Sequence, residues 1–125
     1  MMIYTSTTIV KPWGREIVWA DCKHYLGKII EGDAGKRLSL QYHEKKTETM
    51  RVLSGSMQIE IQPMHHEDYQ CVVLGPGQGI HIKPMTIHRV YAITDLKIVE
   101  VSTCHKQDTM RIQDDYGRQS DGETE

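Results

Sequence analysis

Four polar residues in this chain have the types and the spacing of a metal-ligand set. Gln41 and His43 are two positions apart in RLSLQYH, Glu48 follows after EKKT, and His88 comes much later in TIHRV. If residues 37 to 43 form a strand, Gln41 and His43 point to the same face, because side chains alternate along a strand. Two imidazoles, a carboxylate and an amide oxygen suit a divalent metal and leave coordination positions open for water or substrate.

The candidate ligands and the other histidines of the chain also have simpler interpretations. A single histidine on a strand is more often hydrogen-bonded than ligating, and a charged run such as EKKT is usually solvated. His65 and His66 lie in QPMHHED, which is predicted to be a surface loop. His81 alternates with Ile80 and Ile82 and is a candidate for the interior of the fold.

The elements that must position these residues are predicted to be short β-strands. Turn-forming clusters such as EGDAGK, LSGS, QPMHHED, GPGQG and ITDL separate stretches rich in β-branched residues. The predicted strands are Arg15–Ala20, Tyr25–Glu31, Arg37–His43, Thr49–Ser54, Met57–Gln62, Tyr69–Leu74, Gly79–Ile82, Arg89–Ile93 and Lys97–Ser102. No helical period extends over a dozen residues, so the pattern favours an all-β sandwich or closed barrel.

Composition excludes several classes of partner. The 125 residues fit one domain, and 15 basic against 17 acidic residues leave a formal charge of −2. Such a balance provides no field to attract nucleic acid or an anionic membrane. The three cysteines are widely spaced and no signal peptide or membrane span is recognised, so a soluble cytoplasmic protein is expected. Residues 119–125 are polar and predicted to be disordered.

Two stretches resemble the cupin motifs. Gln41 to Gly55 is similar to the first motif, with Gln41 where a histidine usually stands, and Gly75 to His88 is similar to the second. KPWG, RLSLQYH, PGQGIHIKPMTIHRV and DDYGR together resemble type II phosphomannose isomerases. In that group Gln-x-His is typical of the first motif, and the cupin domain often follows a sugar-1-phosphate nucleotidyltransferase.

The resemblance implies a fold, a metal and a reaction. The fold is a cupin double-stranded β-helix, or jelly-roll barrel, formed by residues 1–118 as a single domain. One divalent metal would be held by Gln41, His43, Glu48 and His88, with zinc first and manganese, cobalt, nickel or iron as further candidates. The expected activity is isomerisation of mannose 6-phosphate to fructose 6-phosphate, and a homodimer paired through sheet edges is expected.

Further residues are candidates for binding the sugar phosphate and for catalysis. Lys28 matches a lysine common in these isomerases, and Lys28 or Arg111 would bind the phosphate. Glu100 and His81 are candidates for the general base that moves a proton between the two sugar carbons only if they face the cavity. Arg118 could fold back over the mouth of the barrel, and Trp13 is expected to pack rather than to bind sugar.

The sequence also departs from the isomerase pattern. Active members commonly read HHHRAEHW where this chain reads HEKKTETM, so Lys46 replaces an arginine and Thr49 a histidine. A non-catalytic cupin that binds a sugar phosphate or nucleotide sugar is therefore the leading alternative. An iron-dependent cupin oxygenase is the third interpretation, because an open site of nitrogen and oxygen ligands also binds dioxygen.

Overall fold

The structure, a computed structural model, describes residues 1–121, and every regular element in that range is a β-strand. The strands are β1 (Thr7–Lys11), β2 (Gly14–Asp21), β3 (Tyr25–Gly32), β4 (Leu40–His43), β5 (Glu48–Ser54), β6 (Met57–Pro63), β7 (Gln70–Leu74), β8 (Gly79–Ile82), β9 (Thr86–Ala92), β10 (Leu96–Thr103) and β11 (Thr109–Gln113). Within residues 1–121, no helix is present that could cross a membrane.

The strands form two antiparallel sheets. The six-stranded sheet has the order β1-β2-β3-β10-β5-β8, and the five-stranded sheet has the order β11-β4-β9-β6-β7. Chain neighbours such as β4 and β5 lie in different sheets, so the chain crosses between the layers repeatedly. The all-β prediction is confirmed.

Alternation along the strands divides each sheet into an inner and an outer face. In β10, Leu96, Ile98, Glu100 and Ser102 are buried, whereas the residues between them are more exposed. The apolar inward residues form one core cluster. Its members are Trp13, Ile30, Met50, Val52, Met57, Ile59, Ile82, Val90, Ala92, Leu96 and Ile98. The expected packing role of Trp13 is consistent with its 2% exposure.

The larger differences from the predicted strands concern β1, β4, β9 and β11, and β9 begins at Thr86 rather than at the predicted Arg89. The sequence did not predict β1 or β11, which carry exposed or half-buried residues on both faces and so lack a clear alternation. The predicted strand from residue 37 is regular only from Leu40. Before it, Leu38 packs against the core and Ser39 is fully buried, so two consecutive residues are turned away from solvent.

The end of the described chain lies against β11. Ser120 Oγ accepts a hydrogen bond from Arg111 N at 2.7 Å, and Asp121 N donates to Thr109 O at 2.8 Å. The segment predicted to be disordered therefore makes backbone contacts as far as Asp121. Residues 122–125 of that segment lie outside the described residues.

One tight turn requires glycine for two separate reasons. Gly55 connects β5 to β6 with a φ of 86°, a conformation that L-residues rarely adopt. A Cβ at this position would also overlap the backbone carbonyl of Asp95. Gly35 has a similar φ of 83°, but a Cβ there would meet open space.

Substitution of these two glycines by alanine should lower the free energy of unfolding by unequal amounts. Gly55→Ala should lower the free energy of unfolding by about 3 kcal/mol or more, because strain and a backbone clash add. Gly35→Ala should cost only about 1–2 kcal/mol, the strain of the left-handed conformation. Urea unfolding of both variants measures the difference, and equal losses would contradict the clash at Gly55.

Candidate metal centre

Three buried ligand side chains converge between the two sheets. His43 ends β4, Glu48 begins β5 and His88 lies in β9, and each is no more than 3% exposed. One ligand atom from each residue lies within 4.8 Å of the other two. Gln41 is paired directly with His88 across β4 and β9, and it lines the same cavity. The structure thus brings together all four residues that the sequence predicts as metal ligands.

Both histidine rings are oriented by backbone carbonyls. His43 Nδ1 lies 3.1 Å from Asp108 O, and His88 Nδ1 lies 2.9 Å from Thr86 O. A carbonyl oxygen only accepts, so each neutral ring carries its proton on Nδ1 and presents the lone pair of Nε2 to the cluster. Metal-ligating histidines commonly show this arrangement, with the other ring nitrogen bound to an acceptor.

The donor set fits a divalent cation. His43 Nε2 and Glu48 Oε2 are 2.7 Å apart, and both are acceptors when the histidine proton is on Nδ1. No hydrogen-bond donor among residues 1–121 satisfies that Glu48 oxygen. Gln41 Nε2 donates to Ser39 Oγ at 2.9 Å, so its amide oxygen is left for a ligand role.

Lys46 helps to hold the Glu48 carboxylate in its ionised form. Burial raises the pKa of Glu48, but a proton donated to it from His43 Nε2 in the metal-free protein and the charge of Lys46 lower it more strongly, so its pKa is well below the usual range. A bound cation would take the place of that Nε2 proton. The pKa of His88 is lowered, mainly because burial disfavours the charged ring. Both shifts favour the protonation states that bind a metal.

Lys46 is a buried cation between two carboxylates. Its Nζ lies 3.6 Å from Glu48 Oε2 and 3.8 Å from Glu100 Oε2, and its side chain is 9% exposed. Burial opposes the charge, but the two glutamates raise the pKa of Lys46 above its usual value. From the sequence, Lys46 was identified only as a departure from the isomerase pattern in a polar turn. Its inward direction could not be deduced from EKKT alone.

Glu100 is the second buried carboxylate of the cavity. It lies on β10 opposite Lys28 of β3. Burial and the nearby charge of Glu48 raise the pKa of Glu100 to about 7. Glu100 and Lys28 were both predicted to belong to the site, and both side chains line the cavity. Lys28 Nζ is 3.3 Å from Glu16, an acidic residue that the sequence interpretation did not include.

Two arginines line the same cavity from the five-stranded sheet and the C-terminal segment. Arg111 lies opposite Gln41 in the β11–β4 pair, and its Nη1 is 3.3 Å from Asp121 Oδ1. Arg118 Nη2 donates to Asp114 Oδ1 at 2.7 Å. The cavity has a volume of about 330 Å³, at the low end of the range for small-molecule sites.

His81 does not belong to this cavity. Its ring is exposed and lies 2.8 Å from Thr49 Oγ1, its partner across β5 and β8. Ile82, next along the strand, is 1% exposed and takes the inward direction. The interpretation of His81 as a candidate base is therefore wrong, because the alternation of β8 places it on the outer face.

Comparisons with known proteins identify a curated relative and solved structures of similar fold. A curated relative, the mannose-1-phosphate guanylyltransferase RfbM of Salmonella typhimurium, is 27% identical over 97 residues, which cover 76% of this chain and 19% of that protein. Among solved structures, an RmlC-like cupin from Shewanella frigidimarina superposes with a TM-score of 0.71 at 14% identity, covering 82% of this chain and 86% of that one. The oxalate decarboxylase of Bacillus subtilis at pH 4.6 gives a TM-score of 0.74 at 11% identity, covering 86% of this chain and 30% of that one.

The two structural likenesses establish the fold, and the predicted cupin jelly roll is confirmed. The chain spans about a fifth of the curated relative, so the whole activity of that protein does not transfer to it. The family model described as "Mannose-6-phosphate isomerase C-terminal" matches residues 2–115, nearly the whole described chain. The chain therefore belongs to the family of mannose-6-phosphate isomerase C-terminal domains.

Proposed function

We propose that this chain is a metal-dependent isomerase that interconverts the aldose and ketose forms of a hexose 6-phosphate, namely mannose 6-phosphate and fructose 6-phosphate. One observation carries the proposal. Beside the His43, Glu48 and His88 cluster, the cavity holds a second buried carboxylate, Glu100, with a pKa of about 7. A carboxylate of that pKa can accept and return a proton near neutral pH.

The metal would be held by Gln41, His43, Glu48 and His88. When bound, a divalent ion would polarise the oxygens at C1 and C2 of the sugar and so ease removal of the carbon-bound proton. Zinc is the first candidate because imidazole and carboxylate ligands suit it. Manganese, cobalt, nickel and iron accept the same ligand types.

Glu100 would serve as the general base. Glu48 belongs to the ligand set, which leaves Glu100 as the other buried carboxylate within 4 Å of Lys46. Glu100 would take the proton from C2 of the aldose and return it to C1, while the hydroxyl proton on O2 passes to O1. No atom is gained or lost overall, so this transfer needs no further reactant.

Cations would bind the phosphate. Lys28 and Arg111 line the cavity on opposite sheets, and Arg118 lines it from the C-terminal segment. Their present partners are the carboxylates of Glu16, Asp121 and Asp114, and a phosphate offers the same kind of acceptor. The name of the curated relative also favours a mannose phosphate as the class of ligand.

The leading alternative is a non-catalytic cupin that binds a sugar phosphate or nucleotide sugar. Lys46 favours it, because lysine lacks the planar fork of the arginine usual at this position. Thr49 does not bear on the choice, since its hydroxyl contacts the outer-face residue His81. The expected homodimer and cytoplasmic location stay predictions.

Metal binding should be visible as stabilisation. Free zinc at 100 times its Kd should stabilise the metal-stripped protein by about 2.7 kcal/mol, which raises Tm by roughly 10 °C for a domain of this size. Differential scanning calorimetry would show this rise in the wild type and in His81→Ala, whose ring lies outside the cavity. His88→Ala should lose the rise, and an equal rise in His88→Ala would contradict the proposed centre.

Isomerase activity should depend on the same residues. Metal-stripped protein reconstituted separately with zinc, manganese, cobalt and nickel should convert mannose 6-phosphate to fructose 6-phosphate in a coupled assay. His88→Ala and Gln41→Ala should lower turnover by at least about 100-fold, because each removes a ligand of the ion that polarises the sugar oxygens.

The other outcomes of this assay separate the alternatives. Folded, metal-loaded protein without turnover would refute the isomerase. Binding of mannose 6-phosphate or a nucleotide sugar without turnover would then support the non-catalytic cupin. Oxygen consumption with ferrous iron would support the oxygenase.

Glu100 predicts a rising pH dependence. Its ionised form is the base, so kcat/KM should increase with pH and level off above the pKa, with a midpoint at or below about 7 because a bound cation lowers that pKa. Glu100→Gln should reduce kcat by about 100-fold or more. The control Glu31→Gln, whose carboxylate pairs with Lys97 rather than facing the cavity, should retain activity. A wild-type rate that falls as pH rises through 7 would contradict this role.

A further inference from the structure

The two ligands His43 and Glu48 are joined by a four-residue loop, residues 44–47. This loop lies between the last residue of β4 and the first of β5, which belong to different sheets. The separation of the two ligands therefore depends on the conformation of the loop. At its far end, Thr47 N donates to Thr103 Oγ1 at 3.2 Å, and Thr103 N donates to Thr47 O at 3.0 Å.

The rest of the loop is held by one side chain, Asp108. Glu44 N donates to Asp108 Oδ1 at 3.2 Å, while Lys45 N and Lys46 N donate to Oδ2 at 2.8 and 2.9 Å. Three successive backbone N–H groups thus converge on one carboxylate, the arrangement in which a backbone nest binds an anion. Hydrogen bonds to an ionised acceptor are stronger than neutral ones.

The backbone of Asp108 makes a second kind of contact with the site. Its carbonyl oxygen accepts the Nδ1 proton of His43 at 3.1 Å. This single residue thus fixes the loop between the two ligands and also the ring orientation of one of them. Asp108 lies in the connection between β10 and β11, about 60 residues along the chain from the ligands it positions.

We propose that Asp108 is a positioning residue for the metal centre. Its carboxylate holds residues 44–46 so that the ligand atoms of His43 and Glu48 lie side by side, 2.7 Å apart, where a divalent ion would bind both. The same bonds fix the backbone of Lys46, whose side chain enters the cavity. The proposal rests on the metal centre of the proposed function and does not depend on which reaction, if any, that centre catalyses.

Asp108→Asn and Asp108→Ala test this role. Asparagine keeps the shape but loses the charge and one acceptor oxygen, and alanine removes both acceptors. Zinc affinity, measured by competition with a chelating indicator, should fall by about 10- to 100-fold, the usual effect of losing a group that orients metal ligands. The visible absorption of the cobalt-substituted protein should also change, because that spectrum reports the geometry of the ligands.

Asp95→Asn is the matched control. Asp95 accepts one backbone N–H, from Ala34 at 2.9 Å, and it lies at the opposite end of β10 from the site. The Asp95→Asn variant makes the same chemical change in a turn remote from the metal ligands. Zinc affinity and the cobalt spectrum should therefore match the wild type.

Two results would overturn this role of Asp108. The first is a folded Asp108→Asn or Asp108→Ala that binds zinc as tightly as wild type, with an unchanged cobalt spectrum. The second comes from wild-type protein and needs no variant to fold. In its zinc-loaded form, ¹⁵N NMR of the imidazoles should show His43 protonated on Nδ1, and the reverse tautomer would overturn the role of the Asp108 carbonyl. Zinc binding without isomerase activity would refute the proposed reaction and leave this proposal standing.

Discussion

The burial of the ionised Glu48 carboxylate is the constraint on which the rest of the site depends. Its side chain is 1% exposed, and an unpaired charge at such a position costs several kcal/mol. His43 and Lys46 surround it, and Lys46 in turn contacts Glu100, so each buried charge is accompanied by an opposite one or by a group that can share a proton. A divalent cation would satisfy the same carboxylate. The side chains that compensate the buried charge and the side chains that would bind metal therefore form one network.

The two-sheet architecture determines how that set is assembled. Gln41, His43 and His88 come from the five-stranded sheet, whereas Glu48 and Glu100 come from the six-stranded sheet. An ion between them would link the layers. The turn before β9 adds a direct backbone link to β4, because Met85 N donates to His43 O at 2.7 Å. The Asp108 contacts reach the same loop from the β10–β11 connection. The positions of the ligand side chains thus depend on bonds between distant parts of the chain more than on any one strand.

Dependence on distant contacts also decides how much of the fold and site could be predicted from sequence. Alternation within one short stretch placed Gln41 and His43 on the same inner face correctly, because that relation is local. The direction of His81 followed from the same rule, because the isoleucines on either side of it occupy the inner face of β8 and leave the histidine on the outer face. In the sequence, Lys46 resembles a solvated turn residue. Its two carboxylate partners are brought together only by the pairing of β5 with β10, which the sequence of the turn does not reveal. Asp108 carried no recognisable signal, because its acceptors are used by amides more than 60 residues away.

The substitution at Lys46 can be weighed in the same physical terms. A lysine ammonium is a compact charge with three donors, and here it lies within 4 Å of both buried carboxylates. An arginine would supply the same charge but spread it over a planar guanidinium, whose N–H groups can also donate to two substrate oxygens at once. The electrostatic balance of the cavity therefore survives with lysine, whereas bidentate recognition of a ligand at this point does not. In the proposed reaction, polarisation by a metal and proton transfer by Glu100 would require the balance of charge rather than the fork. The lysine would then remove one way of orienting a bound sugar, so its effect would fall on ligand positioning more than on the acid–base chemistry.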